Sequence, residues 1–476
     1  MSDQHDGIRD NARYLREVRP IDPEEIYEYV DGQPHPAVVR EELRGMAVDL
    51  GLLEREDGTF VPVEEGPVDV RRGKVDALPE PHARRLEDLL VERYGAGWPD
   101  GESGDGIRAE IRRVKAHYLR GWDVEYDAET ALCYACYHLP AYYAAVQYAL
   151  GDLAADGLLP RRLRVLDVGA GVGGPALGLH DLLPDDALVD YHAVEPSAAA
   201  DVLRAMLEGT DRNFHTTVHE STAEAFEPEG QFDLVLFANV LSELDDPDAV
   251  VRRYLDALAP DGSLVALAPA DRNTATGLRT VERNVADDGP ATVYAPTVRL
   301  WPGATPAGEC WSFDVKPDVE TPGFQRRLEE AASGPDHDAG EFVNTDVQYA
   351  YSVVRTDGRR RIDVQPDRGR TARLAEADEL VSKRVDLLAV KLSHDLTERA
   401  DRDGGHPLFL VGDGSEQVDA FAVLTKDSAL NRDLRAAGYG DLLSFENVLV
   451  LWNDDEGAHN LVVDGETVVE SVPAPV

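Results

Sequence analysis

The chain has 476 residues, which is enough for roughly two to four domains with a sizeable core. Its 91 acidic and 47 basic residues are spread along the sequence and give a formal net charge of −44. This excludes a single disordered acidic tail and predicts a halophilic protein, whose carboxylates hold a hydrated surface while salt screens their repulsion. Three cysteines exclude a disulfide framework, and the sequence lacks a long apolar run and a secretory leader, so we expect a cytoplasmic protein with no membrane partner.

Residues 1–66 have the pattern of a winged helix. Apolar residues predict one short helix within 21–30 and a second within 38–50. Two short strands then flank Asp57-Gly58, a strong hairpin turn. We therefore predict a winged-helix-like domain that binds nucleic acid or serves dimerisation and docking. The mixed charges of the second helix make direct reading of duplex DNA the weaker option.

Residues 67–105 are rich in glycine, proline and charge, which predicts a linker with one helix near 80–94. Helical periodicity returns over 106–155, in a segment with many tyrosines. We expect most of them to pack a pair of helices against the next domain, each with its polar tip exposed. They are Tyr134, Tyr137, Tyr142, Tyr143 and Tyr148.

Residues 163–174, LRVLDVGAGVGG, predict a buried strand, a glycine loop and a helix that opens with Pro175. Glycines let the backbone approach a ligand closely, and the N-terminus of the following helix offers free N–H groups. Gly169, Gly171 and Gly174 fit the dinucleotide-binding pattern G-x-G-x-x-G.

A second pattern fits the same loop. Asp167, Gly169, Gly171 and Gly173 match the D-x-G-x-G-x-G pattern of S-adenosylmethionine (SAM) enzymes. Asp167 favours this choice, because a carboxylate there can orient the loop or meet the amino group of the methionine moiety. Glu195, at the end of the next predicted strand, is expected to hold ribose hydroxyls with either ligand.

Residues 162–290 alternate strands and helices, which predicts an α/β fold with a parallel, Rossmann-like sheet. Ligands of such sheets lie at the carboxyl ends of the strands. Asn239 and Glu243 follow the fourth strand, and we predict that they line the cleft as catalytic residues. The strands are predicted near 163–168, 187–194, 214–219, 231–237 and 262–268, and the helices near 175–183, 197–208, 222–226, 247–259 and 275–286.

A proline- and glycine-rich insertion over 289–345 is typical of a lid or a binding loop. Residues 347–358 resume as a strand and complete a domain over 106–358. The rest, 359–476, begins with a basic stretch and is then rich in strands, which predicts a small β-barrel of OB type, a class often used for oligonucleotides. Arginine forks suit phosphate, although a solvated face with local pairing is the alternative. The candidate RNA-binding residues are Arg359, Arg360, Arg361, Arg368 and Arg370.

Cys133 and Cys136 form a C-x-x-C pair within an apolar helical segment. A structural zinc site needs four ligands, and Cys310 and His138 are the further candidates. We predict packing cysteines and no metal site.

Three segments resemble the ribosomal small-subunit methyltransferase-like proteins, a family first described from mitochondria and also found in bacteria and archaea. They are YACYHLPAYYAAVQYAL directly before RVLDVGAGVGGPA, then LVLFANVLSEL, and FVNTDVQYAYSVVRTDGR before the basic stretch. The resemblance covers roughly residues 110–395. It implies a class I SAM methyltransferase fold and a role in assembly of the small ribosomal subunit, with ribosomal RNA as partner.

The family often carries several cysteines in the insertion, which ligate an iron–sulfur cluster. Here the insertion holds Cys310, so no iron–sulfur cluster is expected. Two alternatives remain open: a small-molecule SAM methyltransferase whose winged helix serves dimerisation, and an assembly factor that binds SAM without turnover. The sequence leaves the oligomeric state open.

Overall fold

The computed structural model describes residues 2–70, 73–333, 337–398 and 405–473, without the side chains of Ser2, Asp3 and Leu119. The internal gaps fall in the predicted linker, the predicted insertion and the C-terminal domain. The chain forms two compact units. The first comprises Met1–Leu236 and Asp318–Asp346, and the second comprises Phe237–Pro317 and Val347–Val476.

Short helices and a hairpin form the N-terminal part of the first unit. They are α1 (Ser2–Leu15), α2 (Pro23–Ile26), α3 (Pro36–Gly45), α4 (Ala47–Leu50), β1 (Leu52–Glu54) and β2 (Phe60–Pro62). The hairpin is confirmed, with β1 and β2 antiparallel. The predicted second helix is broken at Met46, which ends α3 and precedes α4. Helix α1 escaped prediction because it is largely polar and buries mainly Ile8 and Ala12. The winged-helix class is not confirmed by these elements and stays a prediction.

Longer helices follow: α5 (Glu80–Tyr94), α6 (Gly101–Arg120) and α7 (Ala128–Ala155). The predicted helix near 80–94 is confirmed as α5. Leu86, Leu90 and Trp98 are fully buried, so the stretch predicted as a linker is packed into the first unit. The Asp127 side chain accepts hydrogen bonds from the N–H groups of Glu129 and Thr130 and starts α7.

The parallel strands lie in the first unit, apart from Phe237 and Ala238, the last two residues of the fourth strand, which belong to the second unit. The elements are β3 (Arg162–Val168), α8 (Gly174–Leu182), β4 (Leu188–Val194), α9 (Ala199–Leu207), β5 (Phe214–His219) and β6 (Phe232–Ala238). Their order is β5-β4-β3-β6, all pairs parallel, as predicted for a Rossmann-like fold. The helix predicted at 222–226 is wrong: a single turn forms, with Phe226 N–H donating to the carbonyl of Thr222. Pro228 follows closely and disfavours continuation of a helix.

The next elements are α10 (Pro247–Leu255), β7 (Leu258–Pro269), α11 (Arg272–Ala286), β8 (Thr292–Ala295), β9 (Asp314–Lys316), α12 (Gly323–Glu330) and β10 (Val347–Arg355). Helix α12 belongs to the first unit and the others to the second. β10 pairs antiparallel with β7, β8 and β9. The strand predicted to resume at 347 is therefore confirmed, and the fold contains both parallel and antiparallel strand pairs.

The C-terminal elements form a small closed barrel. They are α13 (Ala377–Leu380), β11 (Arg384–Lys391), β12 (Leu408–Gly412), β13 (Ala420–Leu424), α14 (Asp433–Ala436), β14 (Leu442–Asn453), β15 (Ala458–Val463) and β16 (Val468–Ser471). The strand order is β11-β12-β13-β15-β14, and β14 pairs back onto β11. β13 and β15 are parallel. β16 pairs antiparallel with β14, so the small β-barrel that the sequence predicts is confirmed, and its OB type stays a prediction.

One outer face of this barrel is covered by the insertion. Along β12 the side chains of Phe409 and Val411 point into the barrel core, whereas Leu410 belongs to a separate cluster. That cluster contains Leu300 and Trp301 from the insertion. The β12–β13 face, which OB barrels use for oligonucleotides, is therefore packed against this chain's own residues.

Candidate functional site

The glycine loop between β3 and α8 is the best-defined candidate site. Gly169, Gly171 and Gly173 have φ of 72°, 55° and 97°, a region that residues with a Cβ seldom adopt. The N–H groups of Gly169 and Ala170 both donate to the carbonyl of Val194 at the end of β4. The loop is thus tied to the neighbouring strand, and Gly173 directly precedes α8.

Asp167 lies beneath this loop and is fully buried. Tyr191 on β4 donates its hydroxyl to Asp167 Oδ2 over 2.5 Å, whereas Oδ1 is without a hydrogen-bond partner among the described residues. Burial raises the pKa of Asp167 to about 7; the bond from Tyr191 opposes this shift and the charge of Glu195 adds to it. A buried carboxyl with an unpaired oxygen is unusual away from functional sites.

Glu195 links the loop to the end of β4. Its Oε2 accepts the N–H of Gly171 over 2.9 Å, and its Oε1 accepts the N–H and hydroxyl of Ser197. The residue is 7% exposed. Asp167, the three glycines and Glu195 are thus brought together as the sequence predicted, with Glu195 organising the loop as well as facing the site.

The match to known proteins decides what kind of loop this is. Residues 166–264 match a methyltransferase domain. SAM, and not a dinucleotide, is therefore the cofactor of this domain. The match begins inside β3 and includes the loop, Glu195, Asn239 and Glu243.

The two ends of the chain match other protein families. Residues 5–56 match the N-terminal domain, and residues 375–472 the C-terminal domain, of a domain of unknown function, DUF8157. No curated protein sequence matches the chain significantly.

Among solved structures, the chain is similar to the plantazolicin methyltransferase BpumL, at 13% identity over 42% of this chain and 66% of that protein, with a TM-score of 0.24. A putative methyltransferase from Thermoplasma acidophilum is 14% identical over 41% of this chain and 70% of its own, with a TM-score of 0.28. The mitomycin 7-O-methyltransferase MmcR is 16% identical over 56% and 75%, with a TM-score of 0.24. These similarities are weak, and the methyltransferase assignment rests on the domain match.

The residues present fit SAM. A Cβ built on Gly171 would meet no described heavy atom within 4 Å, so the loop borders open space. Asp167 Oδ1 can still accept a hydrogen bond from an ammonium group or an ordered water. Glu195 Oε2 has one donor in the structure and keeps a lone pair for a ribose hydroxyl.

The two predicted catalytic residues lie in the second unit. Asn239 directly follows β6, has φ of 63°, and donates its N–H to the carbonyl of Leu267 on β7. Asparagine tolerates this left-handed conformation better than most residues, and such strained positions cluster at active sites. Glu243 ends a 3-10 turn, Leu241–Glu243, and is exposed. Their catalytic roles stay predictions.

The arginines predicted to bind RNA form an exposed stretch of the second unit. Arg359, Arg368 and Arg370 are exposed, and Arg361 is half-buried. Arg360 is also exposed and donates to the carbonyl of Arg299. Their guanidinium groups are placed where a phosphate backbone can reach them, and RNA binding stays a prediction.

The cysteines are buried free thiols, as expected of packing residues. Burial raises the pKa of Cys136 and of Cys310 to about 12. Cys133 and Cys136 lie in the first unit and Cys310 in the second.

A histidine–aspartate cluster lies apart from the glycine loop. His82 and His180 contact the two carboxylate oxygens of Asp181 at 2.9 and 2.6 Å, and their ring nitrogens are close enough to share an ion. The Tyr143 hydroxyl also donates to Asp181. Desolvation raises the pKa of Asp181, but the hydrogen bonds from His180 and His82 outweigh it and bring it below the usual range. Hydrogen bonding accounts for this cluster, which ties α5, α7 and α8 together.

Sequence reasoning treated most of the tyrosines of α7 as packing residues and considered His138 only as a candidate zinc ligand. Tyr134, His138 and Tyr142 follow one another at every fourth position and lie on one face of α7. We call these three residues the aromatic stripe. Their ring centroids are 4.5 Å (Tyr134–His138), 5.2 Å (His138–Tyr142) and 6.1 Å (Tyr134–Tyr142) apart. The four-residue spacing of these aromatic residues was visible in the sequence, but the position of the aromatic stripe beside the glycine loop was not.

Proposed function

We propose that this chain is a SAM-dependent methyltransferase. The observation that carries the proposal is the loop from Asp167 to Gly173, with its three positive φ angles, inside a segment that matches a methyltransferase domain. SAM, when bound, supplies a methyl group activated by a sulfonium. The glycine loop, which lets the cofactor approach its backbone closely, and Glu195 bind and orient the cofactor, and Asp167 fixes the base of the loop.

For the acceptor, we propose RNA of the small ribosomal subunit or its precursors. The resemblance of the segments around 134–175 and 342–360 to the small-subunit methyltransferase-like family suggests it, and the exposed arginines from 359 to 370 supply phosphate-binding groups. Asn239 and Glu243, which follow β6, are the candidate catalytic residues. Transfer needs mainly in-line placement of the acceptor, so few obligatory acid or base groups are expected.

A second candidate is a small-molecule acceptor, and the C-terminal barrel favours it. The β12–β13 face is packed against the insertion, and the turn between β14 and β15 consists of Asp454, Asp455, Glu456 and Gly457. An acidic turn repels a phosphate backbone. Among the described residues, the β12–β13 face and the β14–β15 turn therefore offer no oligonucleotide-binding surface, and RNA binding would depend on the arginine stretch.

The experiment incubates the full chain with methyl-radiolabelled SAM and purified small-subunit precursors in molar KCl, beside Asp167→Asn and an Arg359, Arg360, Arg361→Ala triple variant. We expect label in RNA from the wild type and little from either variant, with SAM binding retained by the triple variant. Binding of SAM and subunits without label would mean an assembly factor without turnover. No association with subunits would remove the RNA proposal and leave the small-molecule candidate. Failure to bind SAM at all would overturn the methyltransferase proposal.

A further inference from the structure

The aromatic stripe borders the two loops that carry the cofactor-binding pattern. A Cβ built on Gly174, the first residue of α8, would lie 3.2 Å from the Cβ of Tyr142, so α7 passes directly beside the end of the glycine loop. At the other end, the N–H of Ala198, in the segment after Glu195, donates to the carbonyl of Tyr126. The Tyr126 ring meets that of Tyr134 edge to face, with centroids 5.4 Å apart. The rings therefore extend from the glycine loop to the loop that follows β4.

A proline sets the shape of α7 at this place. Pro140 has no N–H, so the carbonyl of Cys136 loses its normal helical donor. The buried amide of Gln325 on α12 replaces that donor: its Nε2 lies 2.9 Å from the Cys136 carbonyl and 3.0 Å from that of Tyr137. The stripe is thus held by a side chain from the insertion segment of the first unit.

Asn344 completes this support. Its N–H donates to Gln325 Oε1 over 3.1 Å, and its side-chain amide lies 3.5 Å from His138 Nδ1. The YHLP and FVNTD segments, more than 200 residues apart in sequence, therefore meet through Gln325. Such a brace holds the rings in fixed positions, which is what a recognition surface requires.

The stripe is electron-rich and uncharged. Tyr134, His138 and Tyr142 are each half-buried. Desolvation and the nearby Lys115 lower the pKa of His138 to about 3, so its imidazole is neutral near pH 7. Lys115 Nζ donates to the hydroxyl of Tyr137, the next ring, over 3.0 Å and lies 4.7 Å from its ring centroid. Neutral aromatic faces attract cations, most strongly where water is excluded.

We infer that the aromatic stripe recognises the positive sulfonium of SAM, so that this chain distinguishes SAM from S-adenosylhomocysteine (SAH), whose thioether sulfur is neutral, by the charge on sulfur. The inference rests on the proposed SAM site and adds the group that recognises the reactive end of the cofactor. It also assigns a role to the insertion, whose Gln325 and Asn344 position the rings.

The test measures Kd for SAM and for SAH by calorimetry on the full chain, using Tyr134→Leu and Tyr142→Leu with Tyr134→Phe and Tyr142→Phe as matched controls. Leucine removes the ring, whereas phenylalanine keeps it and removes the hydroxyl. We expect each leucine variant to weaken SAM by about 3- to 30-fold and SAH by less than about 2-fold. The phenylalanine variants should stay within about 2-fold of the wild type for both ligands.

Equal weakening of SAM and SAH in the leucine variants would overturn the inference, because the rings would then be packing groups. Weakening by phenylalanine as large as by leucine would also overturn it. If the leucine variants fail to fold, the wild type alone decides: it must bind SAM more tightly than SAH, and tighter SAH binding rejects charge recognition. A wild type that binds neither ligand would instead contradict the proposed function.

Discussion

Two buried carboxyl sites of this molecule look alike in charge and differ in hydrogen bonding. In the first unit, Asp167 is fully buried, its pKa is raised to about 7 by burial, and its Oδ1 has no partner in the described chain. In the second unit, burial and the charge of Asp413 raise the pKa of Glu416 to about 7 as well. Glu416 Oε2, however, accepts the N–H groups of Asp413, Gly414 and Ser415.

Asp413 is satisfied in the same way. Its Oδ2 accepts the Trp301 indole N–H over 2.7 Å and the Leu374 N–H over 3.0 Å, while Oδ1 accepts both groups of Ser415. Burial alone therefore does not mark a functional carboxyl. The carboxyl with an open acceptor, Asp167, lies beneath the loop that we propose binds SAM, whereas the fully hydrogen-bonded pair at 413 and 416 joins the insertion to the barrel.

The largest expected effect comes from removing the carboxylate of Asp413, whose two oxygens both accept hydrogen bonds. Asp413→Ala removes the acceptor for Trp301, Leu374 and Ser415 and leaves their donors buried, which should destabilise the second unit by about 3–5 kcal/mol. Urea unfolding followed by tryptophan fluorescence measures this. A loss below about 1 kcal/mol would mean that water replaces the carboxylate and that the joint is not structural.

A smaller effect is expected on the pH dependence of stability, for which we compare Asp167 with Glu416. The folded pKa of Asp167 lies above its usual value of 3.8, so its contribution to stability is present below about pH 4 and is lost as the pH rises through about 7. Asp167→Asn removes this titration, so its stability relative to the wild type should rise by about 1–4 kcal/mol between pH 4 and pH 7. Thermal melts of both proteins across that range test the sign.

Glu416→Gln is the matched control for that experiment. It removes a titration in the same window, because burial raises this pKa too, but its neutral amide oxygen accepts the three backbone N–H groups more weakly than the carboxylate does. We expect Glu416→Gln to be less stable than the wild type at every pH.

The Asp167 prediction is contradicted if the stability of Asp167→Asn relative to the wild type does not change with pH. That result would mean that the bond from Tyr191 keeps the Asp167 carboxylate ionised.

The central strands and the glycine loop could be predicted because their determinants are local. An apolar run, three glycines and Pro175 fix a buried strand, a left-handed loop and a helix start without help from distant residues. The barrel order was predictable only as a class, since alternation along β12 does not say what covers Leu410 from outside. The brace from Gln325 to the carbonyls beside Pro140 could not be predicted, because it joins residues 189 and 188 positions apart.

The smallest effect tests how Glu195 divides its work between the loop and the ligand. Glu195→Gln keeps the shape but removes the charge and one acceptor oxygen, so the side chain can accept the N–H of Gly171 or that of Ser197, but not both. We expect SAM and SAH to weaken together by about 3- to 10-fold, roughly 1 kcal/mol, because both carry the same ribose. Calorimetry with the two ligands measures it, with Glu220→Gln, an exposed acid on the same unit, as the control. If Glu195→Gln weakens SAM and SAH equally while Tyr134→Leu weakens SAM more than SAH, then Glu195 binds the ribose and the aromatic stripe binds the sulfonium. An unchanged Kd for both ligands in Glu195→Gln would mean that the carboxylate only organises the loop.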